Sequence, residues 1–331
     1  MNQSTSGFKL SKAIEGFLLQ KAAQGLSPRT LECYADQLQQ WQMYLGAEAE
    51  IQQATPQNLR AFLAWLRSDY KPRRLTHGDQ PLSAKTVRNY WVALSAFFTW
   101  ASAEFGLDNP MKAVTAPRFE EAPVEPLTKD EIEALLKACD HCREAVTRDR
   151  RKFTMRRYTN HRDRALLLVL LDTGLRASEL CALKMNDVDQ KSGKIQVKHG
   201  VRGGAKGGKG RTVFLGKSAR RAVWRYLATR EDSPEAEAPL FLGKFDRPIN
   251  KNVLRQLIRR LGNKAGVLRC HPHRFRHTFA ITYLRSGGDV FTLQALLGHS
   301  SLEMVQHYAR IAQVDIEQAH RRASPADNWR L

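Results

Sequence analysis

The sequence predicts a mainly α chain with one small β-sheet, an α+β fold divided into a helical N-terminal domain and a larger C-terminal domain. Three observations carry this. At 331 residues the chain exceeds what one ordinary core encloses and suits two domains. Apolar residues recur at helical spacing through much of its length. Only two short stretches, residues 195–197 (IQV) and 212–215 (TVFL), read as strands.

Taken in order, Ser27-Pro28 opens a helix that carries Tyr34, Leu38, Trp41 and Leu45 on one stripe. Thr55-Pro56 opens a second, with Leu59, Phe62, Leu63 and Leu66. Ser83 begins a third, long and strongly apolar: Val87, Tyr90, Trp91, Leu94, Phe97, Phe98 and Ala101. Core packing is the ordinary use of such aromatics. Between the last two helices lies a basic, turn-rich stretch, residues 71–81 (KPRRLTHGDQP), which suits either a solvated surface or a phosphate-facing loop. The helical domain ends near Asn109-Pro110.

Residues 117–126 (PRFEEAPVEP) hold three prolines and three glutamates with no helical period, as interdomain linkers do. The expected division is therefore a helical domain over 1–116, a linker over 117–127 and a second domain over 128–331. Thr128 and Glu131 match a capping box that starts a helix. Residues 143–164 contain nine Lys/Arg against three acids, too charged for core, and suit a mobile loop or a ligand-facing insertion. An apolar helical segment, 165–171, follows and stops at Thr173-Gly174. The two strands are joined by a long glycine-rich turn, and the remainder is again helical up to a polar tail after Ile311.

The net charge of +20 and pI of about 10.0 concern partners more than fold. Such an excess favours polyanions, either nucleic acid or an anionic membrane surface. No apolar run approaches the roughly 18 residues that span a bilayer, and the polar opening MNQSTSGFKL does not read as a signal peptide. Nucleic acid is thus the expected partner, with no membrane attachment and a cytoplasmic location, and residues 143–164 become a candidate DNA-facing segment. Five cysteines are too few and too scattered for a disulfide framework. Cys139 and Cys142 enclose His141, but no second ligand pair lies at zinc spacing, so reduced thiols and no metal are expected.

Four separated pieces carry residues suited to chemistry. In TGLRASEL (173–180), Gly174 stops one helix and Arg176 starts the next; Arg176 and Glu179 also fit a simple surface ion pair. The turn KHGVRGGAKGGKGR (198–211) is either a flexible loop or a hairpin tip that delivers a lysine to a phosphate. In HRFRH (273–277), His273 and Arg276 share a helix face. LGHSS (297–301) is followed by His307-Tyr308. Singly, each piece has an ordinary structural explanation.

Their order and company resemble the tyrosine recombinase (phage integrase) family. The resemblance covers residues 127–331, and the helical N-terminal region is similar to that family's core-binding, SAM-like domain. It implies two domains closing as a C-shaped clamp on DNA. It also assigns roles: Arg176 and Arg276 as the catalytic arginines, His273 as the histidine of HxxR, His299 as a third basic position, Tyr308 as nucleophile, and Glu179 as an ordering acid. The family's G-K-G-x-K-x-R tip, aligned on Arg211, places the catalytic lysine at Lys206, with Lys209 three residues later. Ala205 stands where the first glycine belongs, and the turn is longer and richer in glycine than the pattern.

The residue types suit that reaction. Guanidiniums donate paired hydrogen bonds to the non-bridging oxygens of a pentacoordinate phosphorus. A tyrosine hydroxyl titrates near 10 and needs a base, for which His273 serves; a lysine supplies the leaving oxygen's proton. The resemblance further implies a 3′-phosphotyrosyl intermediate without cofactor or metal, and double-stranded DNA with inverted-repeat core sites. A homo-tetramer would act on two such sites, exchanging a C-terminal segment drawn from 311–331, in the bacterial nucleoid. An accessory DNA-bending protein is a further candidate partner. No arm-binding domain is evident before Lys9, and the 143–164 insertion departs from compact chromosome-resolving members, so a mobile-element integrase or transposase is the leading role. The alternatives are a Xer-like resolvase of chromosome or plasmid dimers, a type IB topoisomerase, or a non-catalytic DNA-binding relative.

Overall fold

The computed structural model describes residues 8–72, 81–119, 125–142, 145–147, 150–198, 210–232, 235–298, 305, 308–309, 320, 324 and 326. The chain divides into two units, Met1–Ala122 and Pro123–Leu331.

The first unit is helical: α1 (Leu10–Ala23), α2 (Pro28–Leu45), α3 (Pro56–Ser68) and α4 (Ala84–Phe105). Ser27, Thr55 and Ser83 each accept the backbone N–H three residues on, satisfying a donor that has no partner within its helix. Pro28 and Pro56 sit where a missing N–H costs nothing. The core is aromatic: Trp41 and Phe62 meet edge-on at 5.0 Å between ring centroids, Phe17 and Phe97 at 5.6 Å, all four fully buried. Burial of each such ring contributes roughly 1.5–3 kcal/mol. Arg60, Arg88 and Trp91 donate to the carbonyls of Ala113, Pro117 and Val114, which fastens the segment leaving the bundle.

The second unit opens with α5 (Lys129–Asp140), started by the Thr128–Glu131 capping box. A hairpin follows, β1 (Ala145–Thr147) antiparallel to β2 (Arg150–Phe153), then α6 (Asn160–Thr173) and α7 (Ala177–Ala182). The second pair, β3 (Lys194–Val197) and β4 (Arg211–Phe214), is antiparallel with Ile195 opposite Val213. Ile195, Val197 and Val213 are buried, as one face of a half-buried sheet requires. Then come α8 (Lys217–Leu227), α9 (Lys251–Ala265), α10 (Pro272–Arg285) and α11 (Val290–Leu297). The main core gathers Leu135, Leu166, Leu170, Ile195, Leu254 and Phe275. A smaller one joins α10 and α11 to Val305 and Tyr308.

The fold class is as the sequence predicts, with a second strand pair added. The basic segment 143–164 is neither wholly loop nor wholly outside the core. Part of it is the β1–β2 hairpin, and its last five residues form the first turns of α6. There Asp163 is fully buried between Arg157, at 2.6 Å, and Arg162, at 2.8 Å. A charge-rich sequence enters the interior because its charges are paired there. Cys139 is buried, its thiol donates to Leu135 O at 3.3 Å, and burial pushes it up to about 12. Among the described residues, no helix is long and apolar enough to cross a membrane.

Candidate active site

The site forms where α6, α10 and α11 meet. The apolar run of α6 ends on Gly174, whose φ of +60° is the left-handed region that glycine adopts without strain. A Cβ there would also sit 2.5 Å from the Phe279 ring, so this glycine lets α10 close on the end of α6. Two residues on, Arg176 caps α7. On α10, His271 accepts the Arg274 N–H, with Pro272 in the first turn, so His273 lies at the helix start and Arg276 one turn further in.

Three arginines converge on the last turn of α11. Arg211, the first residue of β4, donates from Nε to Leu296 O at 2.7 Å. Arg276 donates to Leu297 O and to Gly174 O, both at 2.7 Å. Arg176 reaches Gly298 O at 3.4 Å. Helix-terminal carbonyls have no partner within the helix and carry partial negative charge, so consecutive guanidiniums suit them well. Gly298, at φ +62°, turns the chain away, and a Cβ on it would lie 3.1 Å from the Arg211 side chain.

One carboxylate organises the group. Glu179, nearly fully buried, takes both Arg211 terminal nitrogens, at 2.9 and 2.6 Å, together with the Arg176 guanidinium and backbone N–H, at 2.9 and 2.8 Å. Burial alone would raise the Glu179 carboxyl; Arg211 and Arg176 outweigh it and hold the group below its ordinary value. This is no surface ion pair. Three guanidiniums and one carboxylate leave two positive charges in excess, an arrangement suited to an anion. Arg276, 3% exposed, feels the excess: burial first, then the Arg176 charge, push its guanidinium down to about 10.

Tyr308 is buried against the α10–α11 core, with the His277 ring 5.3 Å away. Burial raises its hydroxyl above the ordinary value, while Arg276 and Arg176 pull it down. His273 is exposed on the solvent side of α10. Partial desolvation, followed by the charges of Arg276, Arg176 and Arg255, lowers its imidazole below the ordinary value. Arg176 and Arg276 thus act electrostatically on both Tyr308 and His273, and Glu179 acts on both arginines. Lys206, Lys209 and His299 lie outside the described residues, as do most of 71–81 and of the C-terminal stretch 311–331.

Two contributors carry no assignment in the sequence reading. Arg211 serves there only to align the turn, although its place at the first residue of β4 is the available signal. His277 closes the HRFRH run but is given no role. Arg274, two residues before Arg276, instead ties α10 to α5 through Glu131 at 2.9 Å. Its side chain is spent on structure.

A small helical unit, followed by one in which paired guanidiniums flank a buried tyrosine, marks an enzyme of DNA strand transfer. The chain belongs to the phage integrase family, the tyrosine recombinases, which cleave and rejoin DNA through a tyrosine intermediate: residues 125–314 match the phage integrase family and residues 14–104 its N-terminal SAM-like domain. Among relatives, it is 31% identical over 299 residues to tyrosine recombinase XerC of Thermodesulfovibrio yellowstonii, covering 88% of each chain. It is 30% identical over 322 residues to tyrosine recombinase XerA of Thermococcus kodakarensis, covering 95% of each. Two solved structures share the fold. One is the Tn1549 transposon integrase in complex with a circular intermediate DNA (TM-score 0.69, 20% identity, 92% of this chain and 95% of that one). The other is the XerH site-specific recombinase bound to its difH substrate (TM-score 0.64, 22% identity, 93% and 82%).

Proposed function

We propose that this chain is a site-specific DNA recombinase in which the Tyr308 hydroxyl attacks a DNA phosphodiester. The phenolic oxygen bonds to phosphorus, the bond to the 5′ oxygen breaks, and a 3′-phosphotyrosine and a free 5′ hydroxyl result. Arg176 and Arg276 hold the non-bridging oxygens; His273 takes the phenolic proton; Lys206 protonates the departing oxygen; His299 donates a hydrogen bond to the phosphate. A 5′ hydroxyl from a partner duplex then reverses the step and restores the phosphodiester. The observation that carries this reading is the buried Tyr308 beside two arginines whose orientation is already fixed by Gly174, Leu297, Gly298 and Glu179. Donors set in place before reaction need no reorganisation during it.

The same proposal assigns residues 1–116 to a core-binding domain, 117–127 to a linker and 128–331 to the catalytic domain. It has four copies acting on two inverted-repeat core sites in the bacterial cytoplasm, and takes the integration or transposition of a mobile element as the role. The β1–β2 insertion in the basic segment supports that role. The resolvase role has an observation of its own, near-full-length similarity to XerC and XerA relatives.

The test uses suicide duplexes carrying the candidate element ends or a candidate chromosomal site, comparing wild type with Tyr308→Phe on a denaturing gel. A covalent protein–DNA adduct from the wild type alone is expected. Equal adducts from both proteins refute Tyr308 as nucleophile. The substrate that gives the adduct separates the two roles.

A further inference from the structure

At the far end of α6 from the catalytic arginines the second unit carries another basic feature. A groove of about 700 Å³ runs between the end of α5, the start of α6 and the outer face of α8. Arg156, His161, Arg164, Arg221 and Arg225 line it, with Asp140 as the only carboxylate among the described residues there. Arg164 already holds Asp140, at 3.1 Å. Arg156, Arg221 and Arg225 are exposed and have no carboxylate partner among the described residues. The base of the β1–β2 hairpin is pinned to one wall: Cys142 N–H donates to Met155 O at 2.7 Å, and Arg157 N–H to Asp140 O at 2.8 Å.

We infer that this groove is a second DNA-backbone site, separate from the catalytic one. The inference rests on the recombinase reading for its ligand class and adds a place where DNA outside the cleaved phosphate is held. Position separates the two sites: Asn160 and His161, which line the groove at the start of the 14-residue α6, stand roughly 20 Å from the end of α6 that meets the arginines. Charge selects the ligand. Unpaired arginines close together repel one another and are relieved by phosphates, to which a guanidinium donates two parallel hydrogen bonds. Scale agrees as well. From Ser218 to Arg225, α8 advances about 10 Å, and duplex DNA carries one charge per ~1.7 Å of its axis. Along one strand, with half that density, about three phosphates therefore pass along the groove, enough for these three guanidiniums. Trp224, 62% exposed, stands beside Arg225 and is placed to report what occupies the surface.

The experiment removes Arg156, Arg221 and Arg225 together (each →Ala), leaving Arg164 because Asp140 needs it. A second variant loses three exposed cations elsewhere on the unit, Lys129→Ala, Lys191→Ala and Arg285→Ala. Both are built on Tyr308→Phe, so that binding is read without cleavage. Affinity for a 60-base-pair duplex is measured by fluorescence anisotropy across a KCl series. The groove variant is expected to bind at least tenfold more weakly near physiological salt. The slope of log K against log[salt] should become shallower by about 3, close to 0.9 for each phosphate that is no longer neutralised; the control variant should shift it by less than 1. A photo-crosslinking amino acid at Trp224 should join the protein to DNA. An unchanged slope in the groove variant, or crosslinks only to protein, overturns the inference and gives the groove to a protein partner. Failure of the recombinase reading itself shows elsewhere, as absence of the wild-type adduct on suicide duplexes.

Discussion

Tyr308 and His273, nucleophile and base of the proposed reaction, meet opposite requirements. The Tyr308 hydroxyl, raised by burial, stays protonated until a base and the two arginines draw the proton off. The lowered imidazole of His273 is neutral at pH 7 and free to accept it. A depressed histidine loses that capacity only as pH falls through its lowered value, and the stability its neutral form contributes fades over the same range, below the ordinary 6.5. Adduct formation should therefore hold level from pH 8 to pH 6.5 and fall on the acid side, and in His273→Gln the acid limb should vanish along with most of the rate. Single-turnover cleavage from pH 5 to pH 8 reads both. Lysine cannot reproduce the two-acceptor geometry at Arg276, where one nitrogen serves Gly174 O and the other Leu297 O. Arg276→Lys should lower single-turnover cleavage by about 10²–10³-fold while DNA affinity changes less than tenfold.

Elements, more than single side chains, place the reacting groups, and two glycines are the hinges of that placement. Gly174→Ala forces a left-handed alanine, costing about 1–2 kcal/mol, into the Phe279 ring, which adds roughly 1–3 kcal/mol of overpacking. A thermal melt should show a clear drop in Tm, at about 2–4 °C per kcal/mol for a unit of this size. Thr128→Ala removes half of a capping box and should cost only about 1 kcal/mol. These contrasts explain what the sequence reveals. Caps are local: Ser27, Thr55, Ser83 and Thr128 each bond three residues away, so their signatures are readable in a short window. The β1–β2 hairpin gives no such signal, because Arg150-Arg151-Lys152-Phe153 lacks the alternation that marks a half-buried strand. Buried Asp163 is hidden for the converse reason, since its neutralising partners look like more surface charge. Arg211 meets Glu179 across 32 residues and Leu296 across 85, separations at which no local pattern survives.

For the whole molecule the decisive quantity is charge. A net +20 on 331 residues predicts binding to DNA whose affinity falls steeply with salt. The arginine cluster carries part of that excess in a buried place, where burial and then the Arg176 charge already press on Arg276. An oxyanion that occupies the site relieves it and binds only the folded state. Sulfate should therefore raise Tm above chloride at equal ionic strength, and the difference should shrink in Arg276→Met. The family itself is legible from order: TGLR, HxxRH, LGHSS and Tyr308 are separately commonplace, and their sequence along one chain is not. That order names the residues to be gathered, while the depth of Glu179 and the clasp on α11 emerge only once the chain is folded.

The clasp also governs how the enzyme tolerates change. The acceptors that aim Arg176, Arg211 and Arg276 at α11 are main-chain oxygens of Leu296, Leu297 and Gly298, which every amino acid supplies. Substitution at 296 or 297 can alter packing without deleting an acceptor. Vulnerability is concentrated in Glu179, a side-chain partner that a single codon change can erase, and in the glycines that let the backbone turn. In a saturation library scored for recombination, positions 296 and 297 should accept several apolar residues, whereas 174, 179 and 298 should accept almost none.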